Sequence, residues 1–98
     1  MGMLRYEQTT FDLSDRDATY LGAVMAQACI EKLTFVFRIP VGGEGQGDIV
    51  AVPLGYGCPA VLQFPNADNG VEWGYVVAAM SEIREKGSLG LGFFSAVI

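Results

Sequence analysis

The chain has 98 residues, enough for one domain with a single hydrophobic core that needs neither disulfides nor metals. It carries 11 acidic and 6 basic residues, a net charge of −5, and the basic residues are scattered, so it lacks the basic patch that grips a nucleic-acid backbone. It contains no histidine, which removes Ser-His-Asp and Cys-His nucleophilic machinery and the commonest transition-metal ligand.

In chain order, residues 4–11 read as a strand. Leu4 and Tyr6 alternate with Arg5 and Glu7, and Thr9, Thr10 and Phe11 favour extended backbone. Ser14 then offers a hydroxyl to cap a helix running to about Ile30, and Asp15 and Asp17 suit the positive end of its dipole. Leu21, Val24, Met25 and Ala28 form one apolar face of that helix. Ala18, Gly22 and Ala26 form a second, small-residue face at four-residue spacing. That second face fits either a helix lying close on a sheet or a helix–helix seam between two copies.

Residues 33–39 are the clearest strand: Leu33, Phe35, Phe37 and Ile39 point one way, Thr34, Val36 and Arg38 the other, and Pro40 ends the run. Residues 42–48 hold four glycines in seven positions and form a loop, not a regular element. Two short apolar strands follow at residues 49–54 and 60–64, joined by the turn Gly55-Tyr56-Gly57-Cys58-Pro59, and Pro53 pushes the first of them toward a sheet edge. The best-specified helix spans residues 71–86. Its apolar positions Trp73, Val76, Val77, Met80 and Ile83 are spaced three and four apart, Asn69 and Glu72 suit a capping box, and Gly87 suits a left-handed C-terminal cap. Residues 89–98 read as the last strand, with Gly90 and Gly92 leaving one side bare for close approach of a helix or another backbone.

This order predicts a single α+β domain over residues 1–98. Two helices pack on one face of a mainly antiparallel sheet of four to five strands, most simply in the split β-α-β order of ferredoxin-like folds.

Charged residues are 17% of the chain, against about 25% in an average soluble domain, and residues 49–67 and 87–98 carry no charge at all. So small a domain cannot easily hide that much apolar side chain, so the composition predicts a homo-oligomer or a protein partner. Pro53, Pro59, Gly55 and Gly57 exclude a spanning helix from the first uncharged run, and residues 1–12 have no apolar leader segment. The expected setting is therefore cytoplasmic, away from membranes. Cys29 and Cys58 suit a cytosolic chain, with or without a bridge between them.

No catalytic or metal constellation emerges, and no cofactor is expected. The glycine loop lacks the Lys-Ser/Thr ending of a phosphate-binding loop, and Glu44 and Asp48 would repel phosphate; two carboxylates fall short of a calcium site. The expected function is that of a small acidic, non-enzymatic binding protein, a regulator or inhibitor acting through protein–protein contacts. Its candidate contact residues are Gly43, Glu44, Gln46 and Asp48 in the loop, together with Tyr56. The alternative is a small-molecule binder with a pocket between sheet and helices or at a subunit interface, lined by Tyr56, Trp73 and Tyr75.

Overall fold

The computed structural model describes residues 2–40, 49–58, 60–63 and 71–93. The elements are β1 (Gly2–Tyr6), β2 (Thr9–Leu13), α1 (Asp15–Glu31), β3 (Thr34–Pro40), β4 (Ile49–Gly55), β5 (Val61–Gln63), α2 (Trp73–Lys86) and β6 (Ser88–Gly90). The chain is α+β. Its strands form two three-stranded sheets among the described residues, ordered β2-β1-β5 and β4-β3-β6, where the sequence led to one sheet of four or five. The first sheet is antiparallel throughout; in the second, β3 pairs antiparallel with β4 and parallel with β6.

The division starts in the first strand expected from the sequence. Residues 4–11 do not run straight: Glu7 adopts φ 55, and the chain folds back into a hairpin with Tyr6 opposite Thr9 and Gly2 opposite Leu13. The far edge of β1 is then filled by β5, through Leu4 opposite Leu62. The second sheet is built on β3, whose alternation is as expected: Phe35, Phe37 and Ile39 are buried and Thr34, Val36 and Arg38 exposed. β4 lies at the edge of this sheet, where the missing N–H of Pro53 leaves no gap in an inner ladder.

The last strand is shorter than expected. The strand ends at Gly90, the Leu91 N–H makes the last bond to β3 through the Arg38 carbonyl at 2.9 Å, and residues 94–98 lie outside the described part. Among the described residues no close backbone approach explains its glycines: a Cβ at Gly92 would meet open space, and one at Gly90 would make ordinary contact with the Arg38 guanidinium. The close approach occurs instead at Gly2, where a Cβ would collide with the Ala18 side chain. This explains why position 2 holds glycine, and it sets that part of the small-residue face against a strand.

Both helices cover the sheets from within one core containing Leu4, Leu21, Phe35, Phe37, Leu54, Met80 and Leu89. α1 touches strands of both sheets, and α2 packs on β6 and α1. Burying each of these large side chains contributes roughly 1.5–3 kcal/mol. Ser14 caps α1 as expected, its Oγ accepting the Asp17 N–H at 3.1 Å. α2 begins at Trp73, two residues later than expected. Glu72 is its N-cap and makes no side-chain cap bond, while Asn69 lies outside the described residues. Gly87 closes α2 in the left-handed conformation, and the expected Glu82–Lys86 pair forms at 3.0 Å.

Trp73 does not face the core. It is 55% exposed and Val77 is 53% exposed, while Val76, Ala79, Met80 and Ile83 carry the packing. At 3.6 residues per turn these four centre the buried stripe near position 83, which puts Trp73 on its margin and Val77 roughly at right angles to it.

Candidate interaction surface

The register of the second sheet builds an outer surface from side chains that point away from the core. Cross-strand partners share a face. Val36 therefore stands in a row with Pro53 and Ser88, Arg38 with Ala51 and Gly90, and Pro40 with Ile49. Successive rows are about 7 Å apart, two residues along a strand. Val36 is 39% exposed and Ile49 61%; Ala51 and Pro40 are also open to solvent. The middle row is low: Ala51 and Gly90 flank Arg38, so its guanidinium stands between two apolar rows with only small neighbours beside it. Arg38 makes no ion pair with any described residue, and no acidic residue stands on the described part of this face. The outer face of the first sheet is more polar, with Arg5, Thr10, Asp12 and Gln63 exposed around Val61.

Of the candidate residues chosen from the sequence, Tyr56 is the one among the described residues. Gly43, Glu44, Gln46 and Asp48 lie outside the described residues. Their flanks, Pro40 and Ile49, pair at one end of the β3–β4 ladder, and Tyr56 follows Gly55 at the other. Six residue steps of strand separate these ends, about 20 Å. Tyr56 is exposed, with its N–H donated to the Leu33 carbonyl and its own carbonyl accepting from Thr34 Oγ1 at 2.9 Å. No protein-family model, curated protein or solved structure matches the chain.

A second feature is a groove between the helices, lined by Gln27 and Glu31 of α1 and by Trp73, Val76, Val77, Met80 and Arg84 of α2. Its wall is a polar clamp. Arg84 donates to both Glu31 oxygens from Nη2, at 2.8 and 2.9 Å, and to Oε1 from Nε at 3.0 Å; Gln27 Nε2 donates to Oε2 at 2.8 Å. The hydrogen bond from Gln27 and those from Arg84 hold the Glu31 carboxyl below the usual Glu range. The clamp also answers a local problem. Glu31 is the last residue of α1, where the negative end of the helix dipole disfavours a carboxylate, and that turn has no basic residue of its own. The cavity of about 60 Å³ is far below the roughly 300–1,000 Å³ of ligand pockets. Of the three aromatics expected to line a pocket, only Trp73 borders the groove; Tyr75 packs edge-on against Tyr20 at 6.0 Å.

Both cysteines are free, and among the described residues no group of three or more His, Cys, Asp or Glu is placed to hold a metal ion. No helix among them is long and apolar enough to cross a membrane. The alternation of β3 already set Val36 and Arg38 on its outer side. Only the pairing with β4 and β6 showed that Ile49, Ala51 and Gly90 share that side.

Proposed function

We propose that this is a non-enzymatic protein that acts by occupying a protein partner, as a regulator or inhibitor, and that the outer face of the β4-β3-β6 sheet is where the partner binds. The observation that carries this is the exposed apolar pair Val36 and Ile49, two rows apart on one sheet face around Arg38. Exposed apolar side chains grouped on one sheet face around a charged residue suit a protein interface. Tyr56, at the opposite end of the β3–β4 ladder from Ile49, is a peripheral contact. Self-association uses a separate place, the exposed Trp73 and Val77, one helical turn apart on α2.

Two measurements test this. Affinity capture from cell lysate is run in parallel with the natural chain and with a Val36→Thr/Ile49→Thr variant, which keeps β-branched residues in the strands. A partner captured by the first and lost by the second supports the reading; identical captures sink it. Light scattering coupled to size exclusion should give a mass above 10.5 kDa that returns toward 10.5 kDa in Val77→Glu. A natural chain that stays at 10.5 kDa across concentrations removes the self-association part.

A further inference from the structure

We infer that the partner presents a carboxylate to Arg38, flanked by apolar side chains that cover Val36 and Ile49. The inference rests on the reading of this sheet face as a binding surface and specifies the chemistry of its occupant. Register decides the geometry: the Arg38 row lies between the Val36–Pro53 row and the Pro40–Ile49 row, so nothing can cover both apolar rows without also covering Arg38. Withdrawing a guanidinium from water without an acceptor is costly, and a carboxylate is the acceptor that matches its forked donors. The protein supplies no such acceptor from the described part of the face. The guanidinium lies over Gly90, where a Cβ would stand 3.5 Å from Nη2, and the short side chain of Ala51 is its neighbour on the other strand.

The same charge argues against a second copy as occupant. A two-fold dimer built over this face brings two Arg38 guanidiniums together with no described carboxylate between them. A polyanion such as nucleic acid or an anionic membrane is disfavoured by the net charge of −5. What fits is a protein segment with one acidic residue among apolar ones.

The probe is a library of random dodecapeptides displayed on phage, panned against the full chain. The expected outcome is enrichment of Asp or Glu flanked by Val, Ile, Leu or Phe. A synthetic peptide of the enriched sequence should then bind at least tenfold more weakly to Arg38→Glu and to Arg38→Gln, and an Asp→Asn or Glu→Gln copy of the peptide should lose affinity to match. Arg38 is exposed, so neither variant threatens the fold. Binders that are lost on Val36→Thr/Ile49→Thr but carry no acidic preference, or that ignore Arg38, overturn the carboxylate while leaving the face as a binding surface. Binders indifferent to all three positions, or no enrichment at all, overturn both. A response to Arg38→Glu that disappears in Glu44→Gln/Asp48→Asn names the chain's own loop as the occupant and overturns the external carboxylate.

Discussion

The carbonyl oxygen of Leu33 lies 2.5 Å from the place where a Cβ on Gly55 would stand, and the same oxygen accepts the Tyr56 N–H at 3.0 Å. Gly55 also holds φ 102, a conformation outside the range that L side chains adopt. Gly87 has φ 72 but faces open space. The two glycines therefore separate backbone strain from collision. Gly87→Ala should cost about 1 kcal/mol, the left-handed penalty alone. Gly55→Ala should cost about 3 kcal/mol, because the added methyl must displace a carbonyl fixed by a hydrogen bond. Urea titration of both variants checks the ordering, and equal losses would show that the Leu33 carbonyl yields freely.

Tyr20 ties the start of α2 to α1. Its ring packs edge-on against Tyr75, and its hydroxyl accepts the Glu72 N–H at 3.0 Å. Tyr20→Phe keeps the ring contact and removes the acceptor from a donor at an otherwise uncapped helix start. The expected loss is about 1–1.5 kcal/mol. Hydrogen exchange should show the loss as faster exchange at Glu72 and the first turn of α2, with β3 protected as before. Uniform acceleration across the chain would mean that the bond reports on global stability instead.

The parts of the fold that were legible in the sequence are those governed by local spacing. Phe35, Phe37 and Ile39 announced β3 because a strand turns every second side chain inward, and Ser14 announced α1 because a cap is a contact three residues long. Glu7 gave no warning of the hairpin, since glutamate rarely takes positive φ and no Gly or Asn marks the turn. The split into two sheets depends on β1 meeting β5 and β3 meeting β6, pairings between segments about fifty to sixty residues apart that no local pattern encodes. Trp73 was misplaced because its five-membered apolar set spans too wide an arc to be buried whole, and spacing alone does not say which margin stays wet. The candidate surface is half legible: alternation puts Val36 and Arg38 on one side of β3, but their company with Ile49, Ala51 and Gly90 exists only in the register.

The two helices differ at their N-termini in a way that can be exchanged. α1 has Ser14 with its Oγ bonded to the Asp17 N–H, and α2 has Glu72 with no side-chain cap although its backbone is extended as a cap requires. Ser14→Ala should cost about 1 kcal/mol, while Glu72→Asp should stabilise by about 0.5–1 kcal/mol, since the Tyr75 N–H already donates to the Glu72 carbonyl but the shorter carboxylate can reach the Gly74 N–H and keeps its charge at the dipole's positive end. The sites share no partner, so the double variant should lie close to the natural chain. Thermal melts of the three variants check this, and a Glu72→Asp protein no more stable than the natural one would show that the first turn of α2 is already satisfied.

Glu31 makes folding depend on pH in a predictable direction. Gln27 and Arg84 both donate to its carboxylate and hold it below the usual Glu range. A group whose folded pKa is depressed contributes stability above its unfolded pKa, about 4.3, and loses that contribution as the pH falls through the folded value. Glu31→Gln removes the contribution, so the gap in stability between the natural chain and the variant should be largest near pH 7 and shrink below about pH 4. The gap should be small, because the Arg84 side chain is 50% exposed and solvent screens the pair. Raising the salt at pH 7 should narrow it further. Urea titrations at pH 7 and pH 3 measure the difference, and a gap that stays constant or widens toward pH 3 would mean that Glu31 stabilises the helix junction by packing and not by charge.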